Sequence, residues 1–172
     1  METAKKSTFG ERVMDFHQAF PVPEKFLPSG VEVLNPYAMP KTRAWMERFY
    51  EKFFSDTKKR VFMFGINPGR FGGGATGVPF TDPVALQESC GIENDLVQKR
   101  ELSSRFMYEV INQWGGTRKF YKSFFLTAVF PFGMIRQGVN YNYYDDAKLW
   151  TAIRPSVIES MKRQMAFGAD TE

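Results

Sequence analysis

The sequence is poor in the residues that build metal centres and disulfides. Its 172 residues include a single cysteine, Cys90, and a single histidine, His17. One cysteine cannot form an internal disulfide, and the chain has no cluster of cysteine and histidine at metal-ligand spacing. A structural zinc ion and a two-histidine metal site are therefore excluded.

Long apolar runs are missing as well. The first twenty residues, METAKKSTFGERVMDFHQAF, lack the apolar stretch of a signal peptide, and no segment approaches the ~20 apolar residues of a membrane span. The chain also contains no repeat, low-complexity tract or linker. We therefore expect a cytoplasmic protein that makes no membrane contact, with residues 1–172 forming a single domain.

Positive charge and aromatic rings are present in excess. The net charge of +4 is compatible with a phosphate-rich partner, although many proteins without such a partner carry a similar charge. Aromatic residues make up 16% of the chain, which exceeds what one small core needs. Most of these rings should lie in the core, and the remainder are free to stack on flat ligands.

Two almost continuous apolar runs predict buried parallel strands, at 60–66 (RVFMFGI) and within 122–130 (KSFFLTAVF). Helical periodicity and capping residues predict four helices, at 7–19, from a cap at Thr42 through Phe53, at 83–90 and at 102–114. A further helical region should begin at Asp145 and be broken or bent near Pro155. This alternation predicts an α/β domain with a mainly parallel sheet that binds ligands at the carboxyl ends of its strands.

A glycine-rich loop, GINPGRFGGGATGVPF, comes after the first of these strands at 65–80. It matches neither G-x-G-x-x-G nor the G-x-x-x-x-G-K-[ST] loop, which disfavours a dinucleotide or nucleoside-triphosphate enzyme. Taken alone, Asn67 would be the corner of an Asn-Pro-Gly turn, and Phe80 would be a core residue. The density of glycine between two prolines nevertheless indicates a stiff loop that another molecule approaches closely.

The whole loop resembles, in residues and spacing, the first active-site motif of the single-strand-selective monofunctional uracil-DNA glycosylases. FFLTAVFPFGM resembles the family's uracil-reading strand, and GVNYNYYDDAKL resembles the segment before its next helix. The resemblance implies a three-layer α/β sandwich and places the protein in a bacterial branch of the family. In a prokaryote, such a protein would be associated with the nucleoid. It also implies a DNA repair enzyme that hydrolyses the N-glycosidic bond of a deaminated base, using no cofactor or metal and no obligate protein partner.

The resemblance also assigns roles to residues. Asn67 would position the attacking water, Phe80 would stack on the flipped base, and the backbone at Gly65 and Ile66 would touch that base. The turn after Asn67 would contact the flanking phosphates of single- or double-stranded DNA through Pro68, Gly69, Arg70, Gly73 and Thr76. For Arg70, a solvated surface charge is an equal alternative.

Two departures from the family pattern matter. Ala128, with Thr127 beside it, stands where the family has the asparagine that reads the base edge. Selectivity for the base should then depend on backbone groups, Thr127 or another residue. The protein would accept uracil alone, a broader range of bases, or a different base such as a deaminated purine. The family's His-Pro loop, whose histidine stabilises the leaving base, has no counterpart, and His17 lies far from any matching position. We expect a family member truncated before its last strand and this loop, with impaired activity.

Other functions and weaker site residues stay open. A non-catalytic nucleic-acid-binding domain of the same fold is the main alternative to an enzyme, and a small-molecule α/β enzyme is a distant third. Asp82 is expected to cap a helix rather than act as a general base, because Pro83 stands directly after it. An aromatic and amide cluster either stacks on DNA or packs over the sheet; its members are Asn140, Tyr141, Asn142, Tyr143 and Tyr144.

Overall fold

The structure is a computed structural model and describes residues 6–171. The helices are α1 (Phe9–Ala19), α2 (Pro40–Phe54), α3 (Gly73–Thr76), α4 (Pro83–Glu88), α5 (Leu102–Gln113), α6 (Thr117–Ser123) and α7 (Ala147–Met165). The strands are β1 (Val31–Leu34), β2 (Val61–Gly65), β3 (Phe124–Ala128), β4 (Gly133–Arg136) and β5 (Val139–Asn140). The α/β class predicted from the alternation of elements is confirmed.

The parallel pair β2–β3 positions the functional residues. These strands pair from Val61 opposite Phe124 to Gly65 opposite Ala128, so their carboxyl ends lie side by side. The two predicted strands are therefore confirmed, although each is shorter than its apolar run. Helix α6 immediately before β3 was not predicted: residues 117–121 were assigned to no element, and residues 122–123 were assigned to the strand.

A second, antiparallel sheet lies beyond this pair. The stretch after β3, for which the sequence predicted no strand, contains the hairpin β4–β5, and β4 pairs with β1 from Leu34 opposite Gly133 to Val31 opposite Arg136. These strands are two to four residues long. Such short segments carry little periodicity, which explains why the sequence did not reveal them.

Helix boundaries test the predicted caps. Thr8 caps α1, and with Glu11 it forms a capping box, so the helix predicted at 7–19 begins at Phe9. The predicted Thr42 cap is wrong, because α2 begins at Pro40 and Thr42 is buried within its first turn. Its hydroxyl donates to the carbonyl of Ala75 instead.

The sequence predicted a break or a bend near Pro155, and the structure shows no break there. Helix α7 runs through this proline for 19 residues. Its face at Leu149, Ile153 and Val157 is buried in the core. Packing of this face offsets the backbone hydrogen bond that proline cannot donate.

Most aromatic rings pack in the core, as predicted, and they enclose one charged side chain. The guanidinium carbon of Arg60 lies 4.8 Å from the ring centroids of both Phe9 and Phe54. This buried arginine donates to the carboxylate of Asp56 and to the carbonyl of Tyr121. The network fixes the chain immediately before β2, so the strand that carries the glycine-rich loop starts from a rigid point.

The prediction that β2 is buried on both faces is wrong for this structure. Val61 is 46% exposed and Met63 is 37% exposed. Beside the pairing with β3, the described residues add to β2 only an isolated parallel bridge between Arg60 and Ala169. In residues 6–171, no helix has both the length and the apolar character needed to cross a membrane.

Candidate active site

A cavity of about 400 Å³ opens at the carboxyl ends of β2 and β3. Its lining residues come from both strand ends, the glycine-rich loop, the start of α5, strand β5 and the segment directly after β5. They are Gly65, Ile66, Asn67, Pro68, Gly69, Gly73, Pro79, Phe80, Glu101, Ser103, Ala128, Asn140 and Asn142. The structure thus brings together eight of the eleven predicted site residues, and it leaves Arg70, Thr76 and Thr127 outside the lining.

The ring of Phe80 lies against the end of β2. A side-chain carbon at Gly65 would come within 2.5 Å of Cζ of Phe80, so the absence of a side chain there makes room for the ring. Phe80 has a φ of 56°, a left-handed conformation that costs a non-glycine residue about 1 kcal/mol or more. This strained backbone turns a partly exposed ring toward the cavity instead of into the core.

Asn67 lies two residues beyond the end of β2 and is partly exposed. Its carboxamide forms no hydrogen bond with any residue in the described range. The alternative in which this side chain only stabilises an Asn-Pro-Gly turn would require such a bond to the local backbone. Both the donor and the acceptor of the carboxamide are therefore available to a water molecule or ligand in the cavity.

The end of β3 is closed by helix α7. Thr127 is 2% exposed, and its hydroxyl donates to Oε1 of Gln164. Nε2 of Gln164 donates to the carbonyl of Ala128 at 2.9 Å and to Oγ of Ser160 at 2.9 Å. The expectation that Thr127 contacts the base through its side chain is thus corrected, since that side chain points to α7. Ala128 lines the cavity but offers only a methyl group.

The expectation that Thr76 contacts DNA is corrected too. Thr76 is fully buried, and its hydroxyl donates to the carbonyl of Thr81 at 2.7 Å. It also accepts from the amide of Val78 at 3.2 Å. These bonds close the loop between α3 and Phe80, so Thr76 shapes the cavity wall without reaching a phosphate.

Arg70 lies beside the cavity opening and is partly buried. Its guanidinium donates to the carbonyl of Gly138, and its amide donates to Oδ1 of Asn140 at 3.2 Å. The guanidinium carbon lies 4.4 Å from the ring centroid of Phe71, and Nζ of Lys99 lies 3.7 Å from the same centroid. Arg70 therefore joins the glycine-rich loop to the β4–β5 hairpin and places positive charge next to the cavity.

Five lining residues were not among the predicted site residues. Some of them belong to a sequence feature that could have identified them, and others do not. They are Pro79, Glu101, Ser103, Asn140 and Asn142. The proline belongs to the glycine-rich loop, and the two asparagines belong to the amide and aromatic cluster noted in the sequence. Glu101 and Ser103 carried no sequence signal, because neither lies in the loop or in that cluster.

Glu101 is tied to the start of α4. Its amide donates to Oδ2 of Asp82 at 2.9 Å, which links the start of α5 to the start of α4. Burial raises the pKa of Glu101, the Asp82 carboxylate raises it further, and the hydroxyl of Ser103 opposes the shift. The cavity therefore contains a carboxyl group that accepts a proton more readily than an ordinary glutamate.

Asp82 acts as the predicted helix cap. Its Oδ1 accepts from the amide of Ala85 at 2.8 Å, and Pro83 occupies the first turn of α4. Asp82 is completely buried and does not line the cavity. The structure therefore favours the capping role over that of a general base.

The histidine lies away from the cavity. His17 is buried in α1 and stacks on the ring of Tyr37, with the centroids 4.1 Å apart. Burial lowers the pKa of His17 to about 3, so its imidazole is neutral at physiological pH. In the described range, no three or more histidine, cysteine, aspartate or glutamate side chains are grouped to hold a metal ion.

Comparison with known proteins identifies the family. The model of the uracil DNA glycosylase superfamily matches residues 51–167, a range that contains β2, β3 and every lining residue of the cavity. The chain belongs to the uracil DNA glycosylase superfamily. No curated protein gives a significant match.

A solved structure narrows the relationship. The chain is similar to wild-type SMUG2 of Pedobacter heparinus, with a TM-score of 0.91 and 38% sequence identity, over 97% of this chain and 74% of that one. This likeness confirms the resemblance to the single-strand-selective monofunctional type. At the level of the family, the protein is a DNA repair glycosylase with DNA as its substrate.

Proposed function

We propose that the protein hydrolyses the N-glycosidic bond of uracil, or of another deaminated base, after that base has left the DNA stack. The observation that carries the proposal is that the unpaired carboxamide of Asn67 and the ring of Phe80 line one cavity. A nucleobase that enters this cavity finds an aromatic platform and an amide side chain together, as excision of a flipped base requires.

Phe80 and Asn67 have different roles in the reaction. Phe80 stacks on the flipped base, and the carbonyl oxygen of Asn67 accepts a hydrogen bond from a water molecule beside the sugar. The water oxygen forms a bond to C1′, the N-glycosidic bond breaks, and the base leaves with the bonding electrons while the water proton passes to solvent or to the base. An amide cannot remove that proton at neutral pH, so Asn67 contributes orientation rather than base catalysis.

Base recognition is assigned to the side chains of Asn140 and Asn142, because Ala128 cannot provide it. Oδ1 of Asn140 accepts from the amide of Arg70, which leaves its Nδ2 as a donor. Nδ2 of Asn142 donates to Asp145 at 3.0 Å, which leaves its Oδ1 as an acceptor. One donor and one acceptor match the neighbouring carbonyl and N–H groups that uracil and deaminated purines share, so we expect a base preference broader than uracil.

An abasic-site cleavage assay tests the proposal. The substrates are matched single- and double-stranded oligonucleotides that carry uracil, hypoxanthine or xanthine at one position. We expect strand breakage with at least one base, and we expect Asn67→Ala to reduce the rate by about 10²-fold or more. Asn112→Ala, on the exposed surface of α5, is the control. Full activity of Asn67→Ala would exclude the assigned role.

A non-catalytic DNA-binding domain is the second candidate. It is favoured by one observation, that the described part of the chain brings no histidine to the cavity to stabilise the leaving base. Salt-dependent DNA binding without any strand breakage would establish this alternative. Absence of all DNA binding would contradict both candidates.

A further inference from the structure

The turn at Gly69–Gly72 already contains an anionic group from the protein itself. A side-chain carbon at Gly69 would overlap Oε1 of Glu101, and one at Gly72 would overlap Oε2. The space left by the missing side chains of these two glycines is therefore filled by a carboxylate. This is the turn to which the sequence assigned contacts with DNA phosphates.

Glu101 is held in this position by its backbone. It is the residue before α5, and its amide donates to the buried carboxylate of Asp82 at 2.9 Å. Its own side chain is half-buried and lines the cavity together with Asn67 and Phe80. The carboxylate thus extends from an anchored backbone position into the lining of the candidate site.

The negative charge of Glu101 is not neutralised by its neighbours. Arg70 of the glycine-rich loop and Lys99, two residues before Glu101, lie over the ring of Phe71. Neither they nor any other described residue forms an ion pair with Glu101. Asp82, behind it, is a second carboxylate. A phosphate attracted to Arg70 and Lys99 would consequently approach an uncompensated negative charge on the same turn.

We propose that Glu101 competes with a phosphate of the DNA strand for the Gly69–Gly72 turn, and so limits how tightly the substrate binds. This inference rests on the proposed function, since it requires DNA as the ligand. Glu101→Gln keeps the shape of the side chain and removes its charge. It should strengthen DNA binding, and the gain should shrink as salt screens the repulsion.

The pH dependence has a definite sign. Burial and Asp82 raise the pKa of Glu101, so its carboxyl becomes neutral at a higher pH than an ordinary glutamate. DNA binding should therefore tighten as the pH falls through that raised pKa. The other groups that act on the pKa of Glu101 are Asp82 and Ser103, and His17 stays neutral throughout this range.

Fluorescence anisotropy with a labelled, uracil-containing single strand tests the inference. All proteins carry Asn67→Ala, so that the substrate is not consumed. At low salt we expect Glu101→Gln to bind about tenfold more tightly than its parent and to lose the tightening at acid pH. The matched control is Glu109→Gln, which removes one negative charge from an exposed position of the same helix.

Each outcome decides the matter. If Glu101→Gln binds DNA no more tightly than its parent, the inference is overturned and the proposed function is unaffected. The same conclusion follows if Glu109→Gln gains as much DNA affinity as Glu101→Gln. No DNA binding by any of the proteins overturns both proposals. Should Glu101→Gln fail to fold, the pH series on the Asn67→Ala parent remains, and binding that does not tighten on acidification overturns the inference by itself.

Discussion

The carboxyl ends of β2 and β3 lie side by side, yet they have opposite characters. At the end of β2, Asn67 presents an unpaired carboxamide to the cavity. At the end of β3, the hydroxyl of Thr127 and the carbonyl of Ala128 are both bound by Gln164. The rule that parallel sheets bind ligands at their carboxyl ends therefore locates this cavity without saying which strand supplies the polar groups.

The difference arises from the segment that contacts each strand end. After β2 the chain enters a glycine-rich loop, and the missing side chains leave room for Phe80 and Glu101. After β3 the chain is covered by α7, whose buried Gln164 satisfies the polar groups at the strand end. One end is consequently organised for ligand contact and the other for stability. Mutations at the two ends should separate these roles.

Gly65→Val should have the largest effect, and it should fall on activity. The new side chain would occupy the space of the Phe80 ring, since even its first carbon would lie 2.5 Å from Cζ of that ring. Displacement of the stacking platform should lower the rate of base release by about 10²-fold, equivalent to about 3 kcal/mol. Met63→Val, at an exposed position of the same strand, is the control for changes in β2. Normal excision by Gly65→Val would show that the ring and the strand end do not act together.

Gln164→Leu should act on stability instead. The substitution keeps the approximate volume but leaves the hydroxyl of Thr127, the carbonyl of Ala128 and the hydroxyl of Ser160 without the partner they have now. We expect the free energy of unfolding in urea to fall by about 2 to 3 kcal/mol. DNA affinity of the folded fraction should not change.

Gln113→Leu supplies the comparison for this experiment, because it makes the same chemical change at an exposed position of α5. If Gln164→Leu were no less stable than Gln113→Leu, the end of β3 would not depend on α7 for its hydrogen bonds. A selective loss of base release at unchanged stability would instead place Gln164 in the active site.

The sequence predicted the features whose signals are local. The apolar runs predicted β2 and β3, Asp82 predicted a helix start, and the contiguous motif predicted the Asn67 and Phe80 pair at the cavity. Glu101 and Gln164 were beyond reach, because their partners lie about 30 to 40 residues away along the chain and neither belongs to a local pattern. The predicted direction of the Thr127 side chain was wrong for the same reason. Adjacent strand residues point to opposite faces of the sheet, and only the packing of α7 shows which face is covered.

Thr127→Val should have the smallest effect and is the sharpest test of the contrast between the strand ends. Valine has nearly the shape of threonine but cannot donate to Oε1 of Gln164. Loss of this buried bond should lower the free energy of unfolding by about 1 kcal/mol. The relative rates for uracil, hypoxanthine and xanthine should stay unchanged, because the hydroxyl points to α7 and does not line the cavity.

Asn142→Ala is the counterpart to Thr127→Val on the cavity side. Its side chain lines the cavity, and its only hydrogen bond in the described structure is the exposed one to Asp145. We expect little change in stability and a shift in the relative rates for the three bases. If Thr127→Val shifted those rates while Asn142→Ala did not, base recognition would belong to β3, and the division between an open and a closed strand end would be wrong.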